Sequence, residues 1–239
     1  MRGLRGDHML KRFIAGGVVC AAMLVGAQSA HAQQQTVNFT FGYFAPHGED
    51  ARTAGDVLVA NRDFLIFDFH DFDTASVGGE WLFPLGNFLE GGIGIGFSTR
   101  SVPTVYQDFI DSDGTEIDSD MKLRMVPTTF SIRLLPLSHR TAFQPYIGGG
   151  MAVIAWRYSE SGEFVDFNAG NTIFRGSFVN TGADVGPVVL GGLRFGGRTV
   201  SAGFEVRYQS AEGKLDSDFA GPRIDLGGWT YNGTFGFRF

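Results

Sequence analysis

The chain is poor in several features that other classes of protein need. It has a single cysteine, Cys20, so it forms no internal disulfide and has no cysteine set for a zinc site. It has 19 Lys and Arg against 25 Asp and Glu, with no basic run beyond the N-terminus. A nucleic-acid partner is therefore not expected, because phosphate binding needs clustered Lys and Arg. Only 18% of residues are charged, which is too few for a highly charged disordered protein.

Long apolar runs are also scarce, and the one present lies near the N-terminus. The run FIAGGVVCAAMLVGA at residues 13–27 follows a basic segment and is shorter than the roughly 18 residues of a good membrane helix. This layout is typical of a secretory signal peptide, with Ala30 and Ala32 as the A-x-A cleavage site. We expect residues 1–32 to be removed and residues 33–239 to form one domain. An uncleaved anchor is the alternative, and translation could start at Met1 or Met9.

Glycine and phenylalanine are abundant, with 35 and 24 residues respectively. Glycine is costly in helices and aromatic residues favour strands, so the composition favours an all-β fold. After residue 32, apolar and polar residues alternate with the period of two expected of strands, as in TVNFTFGY at residues 36–43. The pattern predicts eight strands, near residues 36–43, 75–83, 88–100, 121–135, 145–158, 185–195, 199–209 and 229–239.

The connections alternate between short and long. Tight turns are expected at residues 84–87, 136–144 and 196–198, and long links at 45–74, 102–120, 159–184 and 210–223. Short turns at one end and long extracellular loops at the other are typical of outer-membrane barrels. The sequence therefore predicts an all-β fold, a transmembrane antiparallel up-and-down β-barrel of eight strands. The alternative is a secreted lipocalin-like barrel or a β-sandwich, in which the apolar face would point inward.

Three finer predictions concern particular segments. The polar residues change parity along residues 121–135, which predicts a β-bulge at Pro127. Tyr146 and Trp156 share a parity ten residues apart, about 25 Å of height on a tilted strand, which is the spacing of two lipid-facing aromatic girdles. Residues 57–69 are rich in β-forming side chains and predict a hairpin that extends the barrel.

The last residues, YNGTFGFRF, resemble the C-terminal signal that the barrel-assembly machinery recognises, carried here by Tyr231, Phe235, Phe237 and Phe239. With PYIGGGMAV at residues 145–153, they make residues 36–239 similar to the eight-stranded outer-membrane barrels of the OmpA-transmembrane, OmpX and OmpW type. The resemblance covers the barrel alone, so we do not expect the cell-wall anchoring role of the periplasmic peptidoglycan-binding domain of full-length OmpA. The resemblance implies an outer-membrane location reached through the periplasm, lipid and lipopolysaccharide contacts, and a monomer without cofactors.

Parity also assigns charged residues to the barrel lumen. Eight strands enclose a space that side chains just fill, so we expect these charges to pair in a polar core rather than line a wide channel. The alternative is a narrow passive channel for small solutes, which conductance would reveal. The predicted lumen residues are Glu80, Glu90, Arg133, Arg157, Arg194, Glu205, Arg207 and Arg238.

The four long links hold 20 of the 25 acidic residues, which predicts a strongly negative outer surface. In the second link the acidic residues are the most concentrated, and Asp111, Asp113, Glu116 and Asp118 are candidates for a divalent cation site. Their spacing does not match an EF-hand, and a solvated acidic face is the simpler interpretation. A lipid A-modifying barrel enzyme is a further alternative that labelled lipid A would test, but no G-x-S-x-G elbow is present and no catalytic residue is assigned.

Overall fold

The structure, a computed structural model, describes residues 35–138, 140–167 and 169–239. The predicted signal peptide, with Ala30 and Ala32 at its cleavage site, lies outside the described residues. Within the described part of the chain, no helix is both long enough and apolar enough to cross a membrane. All of the strands belong to one of the two compact units of the chain.

Strands dominate this unit, as the alternating sequence predicted. Three of the eleven strands are short and belong to loops, and one five-residue helix, α1, covers Val57–Asn61. Short 3-10 turns occupy Glu49–Ala51 and Phe69–Phe72. The strands are β1 Thr36–Pro46, β2 Leu65–Ile66, β3 Thr74–Pro84, β4 Leu89–Ile110, β5 Glu116–Leu134, β6 Phe143–Asp166, β7 Thr172–Gly196, β8 Val200–Gln209, β9 Glu212–Lys214, β10 Arg223–Asp225 and β11 Gly228–Arg238.

Eight long strands close into a ring. Each pairs antiparallel with its neighbour, in the order β1, β3, β4, β5, β6, β7, β8 and β11, and β11 returns to β1. The first and last strands meet along their whole length, from Thr36 opposite Arg238 to Pro46 opposite Gly228. Closure removes the unpaired sheet edges that an open sheet would expose. The predicted all-β, antiparallel up-and-down barrel of eight strands is confirmed.

Four of the strands continue well above the ring. The segments 102–120 and 159–184, expected as long loops, are wrongly assigned by the sequence pattern: most of both are strand, in β4 to β7. They pair with one another as far as Ile110 opposite Glu116 and Asp166 opposite Thr172. We call residues 99–110, 116–125, 155–166 and 172–187 the upper sheet, and the closed ring below it the lower barrel.

Two loops cover the inner face of the upper sheet. Loop 1, residues 47–73, contains α1 and β2, and loop 4, residues 210–227, contains the β9–β10 hairpin. The predicted hairpin at residues 57–69 is wrong, since only Leu65 and Ile66 form a strand, paired to β4. The physical reason is burial: Val57 and Leu58 pack in the core at 0% and 1% exposure, and Asp56 caps their helix.

Strand β5 passes Pro127 without a bulge. The predicted bulge at Pro127 is wrong, because β5 keeps one register against β6 from Ser119 opposite Gly162 to Leu134 opposite Ile147. The outward positions simply change from apolar to charged along the strand. Below Pro127, Phe130 and Ile132 face outward and are exposed; above it, the outward residues are Glu116, Asp118, Asp120, Lys122 and Arg124.

The outer face of the lower barrel is covered by exposed apolar side chains. They alternate with buried polar residues such as Asn38, Thr129 and Asn232 on the inner face. This polarity is the reverse of a water-soluble barrel and matches a surface in contact with hydrocarbon. Examples on separate strands are Phe39, Val77, Ile95, Ile132, Met151, Val189, Phe204 and Phe235, each 39% exposed or more.

The predicted aromatic girdles at Tyr146 and Trp156 are wrong. Both side chains point inward and are buried, because the even positions of β6 face the interior. Trp156 donates from Nε1 to Asp184 Oδ2 at 2.7 Å. Its ring lies against Gly182 and Gly213, where a Cβ would come within 2.7 Å and 2.6 Å of the ring. These two glycines make room for the indole in the upper core.

Candidate functional site: the barrel interior

Arg133 lies at the centre of a charged cluster in the lower barrel. Its side chain is fully buried, and its Nη2 donates to Glu80 Oε2 and, at 2.7 Å, to Glu205 Oε2. Its Nη1 lies 3.8 Å from Glu90 Oε1. Each of these residues is an inward position on a different strand, so ring closure brings them together. A guanidinium so far from water is tolerated only when carboxylates compensate its charge.

Arg194 extends the cluster toward the end with the tight turns. Its Nη2 donates to Glu90 Oε2 at 2.9 Å, and its Nε donates to Gln144 Oε1 at 2.8 Å. Arg238 reaches the same Gln144 oxygen from Nη2 at 2.9 Å and donates from Nη1 to the Gly197 carbonyl, also at 2.9 Å. Arg238 therefore ties the last strand to the β7–β8 turn at the margin of the cluster.

Arg207 completes the cluster on the opposite side. Its Nη2 donates to Glu205 Oε1 at 2.7 Å and lies 3.5 Å from Glu80 Oε1, while Nη1 donates to Thr129 Oγ1 at 3.1 Å. The carboxylate of Glu205 is thus shared between two arginines. Such shared, charge-assisted hydrogen bonds hold both carboxylate oxygens in fixed positions.

Tyr146 belongs to this cluster, contrary to the prediction that it faces the lipid. Its hydroxyl donates to Glu205 Oε2 at 3.1 Å. Its ring centroid lies 4.8 Å from Arg133 Cζ and 5.8 Å from Arg194 Cζ, within the range of cation–π attraction. A signal was available in the sequence, since Tyr146 has the opposite parity to the apolar, outward-facing Ile147.

The prediction that Arg157 joins the lumen cluster is wrong. Arg157 is exposed on the outer face, directly opposite Arg124 of β5. On β6 the even residues, such as Tyr158, point inward, and Arg157 lies above the apolar belt where water replaces lipid outside. The structure places the other seven predicted residues toward the interior: Glu80, Glu90, Arg133, Arg194, Glu205, Arg207 and Arg238.

The charges at the heart of the cluster balance. Three carboxylates face three guanidiniums, each within 4 Å of an opposite charge, so the set is formally neutral. The space beside Glu80 and Arg207 is a cavity of only about 40 Å³. That volume holds a few water molecules at most. The charged side chains of the cluster therefore pair with one another inside the lower barrel.

An apolar core fills the interior above the charged cluster. It is built from inward side chains of the upper sheet, covered by side chains of loops 1 and 4. Several of its members are completely buried, which is the packing of an ordinary water-soluble core. Its best-buried residues are Val57, Leu58, Phe72, Val102, Ile117, Met121, Ile154, Tyr158, Ile224 and Leu226.

One carboxylate is buried within this apolar core. Glu160 Oε1 accepts from Asn61 Nδ2 and from Tyr158 Oη, both at 2.7 Å. Burial raises the pKa of Glu160, although both hydrogen bonds act in the opposite direction. Burial and the neighbouring Glu160 also raise the pKa of Tyr158. Because Asn61 ends α1, this group joins loop 1 to the wall of the upper sheet.

Loops 1 and 4 are joined by a buried polar clasp. Asp56 accepts from Arg52 Nε at 2.7 Å and from the backbone N–H of Asp225 at 2.6 Å. The carboxylate of Asp225 lies 3.1 Å from His47 Nδ1, and Arg52 Nη2 donates to the Asp225 carbonyl at 3.2 Å. The clasp was not predicted, because its members are far apart in the sequence. Asp56 in the clasp and Glu160 in the apolar core were both expected at the acidic surface, and both are buried.

The candidate cation ligands lie at the tip and outer face of the β4–β5 hairpin. Asp111 caps the backbone N–H of Ser112, and Asp113 Oδ1 accepts from Thr115 N and Oγ1 at 3.0 Å and 2.7 Å. The bonds from Thr115 lower the pKa of Asp113. Glu116 and Asp118 point outward on β5. Among the described residues, no three His, Cys, Asp or Glu side chains are grouped as a metal ion would require.

The C-terminal residues of the predicted assembly signal share one face. Tyr231, Phe235, Phe237 and Phe239 are all outward and 40% to 69% exposed. Phe235 and Phe237 contact each other edge to face, with ring centroids 5.1 Å apart. They form part of the apolar belt of the lower barrel.

Comparison with known proteins gives a likeness of fold. No family model and no curated protein sequence matches the chain. Among solved structures, the chain is similar to the N-terminal β-barrel domain of OprF from Pseudomonas aeruginosa, at 12% identity over 87% of this chain and 98% of that chain, with a TM-score of 0.41. It is similar to Ail, the attachment invasion locus protein of Yersinia pestis, at 11% identity over 87% and 100%, with a TM-score of 0.44. It is also similar to outer membrane protein W of E. coli, at 16% identity over 88% and 100%, with a TM-score of 0.37.

Proposed function

We propose that this protein is an integral outer-membrane barrel with a sealed interior, and that its role is structural or in surface interaction. The observation that supports the proposal is the pairing of buried charges around Arg133 in the lower barrel, beneath the apolar core under loops 1 and 4. We infer that these two layers of side chains fill the interior. A filled barrel serves as an anchor and a rigid support rather than as a pore.

Insertion into a membrane is supported by the polarity of the outer surface. Exposed apolar side chains such as Phe39, Ile132 and Phe204 surround the lower barrel, where water would make them unfavourable. Charged outward residues of β5 and β6 begin on the upper sheet, with Arg124 on β5 and Arg157 on β6. The tight turns lie at the opposite end, as in barrels of the outer membrane whose long connections are extracellular.

The surface role follows from what the upper sheet presents to water. Its outward side chains on β5 include the carboxylates of Glu116, Asp118 and Asp120, held on a sheet that packs on a rigid core. In this proposal the chain is a monomer without a cofactor. The barrel-assembly machinery recognises its C-terminal strand, and outer-membrane lipid and lipopolysaccharide surround the inserted barrel. No catalytic role is included.

Conductance of the inserted protein tests the proposal. We expect no steady open current across a planar bilayer from the full chain, with insertion verified by protection of the lower barrel from added protease. Steady currents that change in an Arg207→Ala variant but not in an Arg175→Ala variant would contradict it and support the narrow-channel alternative. Arg175 is a suitable control because it is 84% exposed on the outer face of the upper sheet.

A further inference from the structure

Three basic side chains stand together on the outer face of the protein, just above the apolar belt. Lys122 and Arg124 are successive outward residues of β5, and Arg157 is an outward residue of β6. Arg124 and Arg157 are direct partners in the β5–β6 ladder. Lys122 lies diagonally across from Arg157, one step higher on the same face. We call these three residues the basic triad.

The triad is placed where lipid meets water. The outward residues immediately below it are Val126 on β5 and Ala155 and Val153 on β6, which continue the apolar belt. The side chains above it on β5 are the carboxylates Asp120 and Asp118. A group bound at the triad would therefore lie at headgroup depth, with room for attached acyl chains along the belt beneath it.

The triad has no protein counter-ion among the described residues. None of the three cations lies within 4 Å of a carboxylate, whereas the exposed Arg175 higher on the outer face pairs with Glu163 at 3.2 Å. Like charges directly opposite each other in a ladder destabilise a sheet. Arg124 and Arg157 thus form an arrangement that an external anion would stabilise.

The residues beside the triad add hydrogen-bonding capacity. In the ladders, Arg124 is opposite Thr99, Lys122 is opposite Ser101 and Ser159, and Arg157 is opposite Thr181. These hydroxyl side chains can donate to an anion held by the cations. Cations with neighbouring hydroxyls are the donor set that phosphate oxygens prefer, and Arg adds bidentate geometry.

We propose that the basic triad binds the phosphate of a phosphorylated glycolipid in the outer leaflet of the membrane. The proposal deepens the proposed function and rests on it, because the triad lies at headgroup depth only if the lower barrel is inserted. The charge of the triad selects the phosphate, and the belt below it accommodates the acyl chains. At the same membrane boundary, the outward residues of β1, β8 and β11 are instead aromatic, namely Tyr43, Tyr208 and Trp229.

Native mass spectrometry of the full chain in detergent micelles tests the site. The probes are diphosphoryl lipid A, its enzymatically dephosphorylated form, and inorganic phosphate. We expect the triple variant Lys122→Gln, Arg124→Gln, Arg157→Gln to bind diphosphoryl lipid A at least about tenfold more weakly, since one lost charged hydrogen bond is worth about that factor. The matched control removes three exposed cations elsewhere: Arg175→Gln, Lys214→Gln, Arg223→Gln.

Each outcome decides the matter. Weaker binding in the triad variant only, with the dephosphorylated lipid bound equally by both variants, supports the proposal. Equal binding of diphosphoryl lipid A by both variants overturns it, as does full displacement of the lipid by inorganic phosphate at equal concentration. Flotation of wild-type protein with lipid vesicles is measured in parallel. Failure to float would refute the proposed membrane insertion, whereas flotation without triad-dependent binding would refute this inference alone.

Discussion

Below Val126, β5 presents Phe130 and Ile132 to the outside and Arg133 to the inside; above it, the same strand presents Lys122 to the outside and Met121 to the inside. The register against β6 is the same in both regions, so the backbone is not what differs. What differs is the medium around the barrel. Lipid below requires an apolar exterior, whereas water above requires an apolar interior.

The two interiors consequently depend on different forces. The lower one is held by paired charges, for which the loss of one partner leaves others buried and uncompensated. The upper interior is held by close-packed apolar side chains, so its stability depends on the volume of those side chains and on the exclusion of water. Substitutions of similar size should therefore have effects that depend on the region and on the face of the strand.

The largest expected effect comes from breaking the charged interior. Arg133→Met leaves Glu80 and Glu205 without their central partner, and we expect the free energy of unfolding to fall by about 3–5 kcal/mol. Urea unfolding in lipid vesicles, followed by tryptophan fluorescence, measures this. The exposed Arg175→Met control should change it by less than about 1 kcal/mol. Similar losses in the two variants would show that the charge pairing in the lower barrel is unimportant.

A smaller effect tests the exterior of the same strand. Phe130→Arg places a cation on the lipid-facing side, midway along the apolar stretch of β5 between Val126 and Leu134, and we expect a loss of about 2–4 kcal/mol in unfolding free energy in vesicles. Asp120→Arg is the matched control, an outward position of β5 on the upper sheet, where the same side chain meets water. If the two arginine substitutions lower the free energy of unfolding equally, both positions lie in the same medium and the contrast between the two regions is wrong.

The smallest effect is a pH dependence of the upper interior. Because burial raises the pKa of Glu160, the folded state holds this proton to a higher pH than the unfolded chain does. Docking of α1 should therefore be most stable below the ordinary carboxyl pKa of about 4, and weaken as the pH rises through the raised pKa.

Hydrogen exchange of the amides of Val57–Asn61 at several pH values measures this, after correction for intrinsic rates. The Glu160→Gln variant keeps the size of the side chain and removes the charge, so the protection of these amides against exchange should not fall as the pH rises. Glu163→Gln on the outer face of β6 is the control and should behave like wild type. A wild-type profile that does not change with pH would contradict the prediction.

The sequence was sufficient to predict the ring of eight strands, because apolar and polar residues alternate with a period of two along a strand whether lipid or water lies outside. It was also sufficient for inward residues such as Glu80 and Glu205, which alternate with apolar neighbours on lipid-facing strands. It failed where the exterior changes from lipid to water. Arg157 was placed inside and the change at Pro127 was interpreted as a bulge, because polar residues were assumed to face inward along the whole strand.

Contacts between distant segments were the second source of error. Residues 57–69 have the composition of a strand, but the apolar surface offered by β4 to β7 is what fixes Val57 and Leu58 in a helix. Likewise, nothing local to Asp56 indicates its bond to Asp225, 169 residues away. Propensity describes neighbours along the chain, and this core is built from segments that meet only in three dimensions.

The clasp between Asp56 and Asp225 also sets an order of events during folding. Its two halves lie next to β1 and β11, the first and last strands of the ring. Contacts between such remote parts of a chain form slowly, since a long loop must be closed before they are gained. We therefore expect the loops above the membrane to dock last, after β11 has paired with β1.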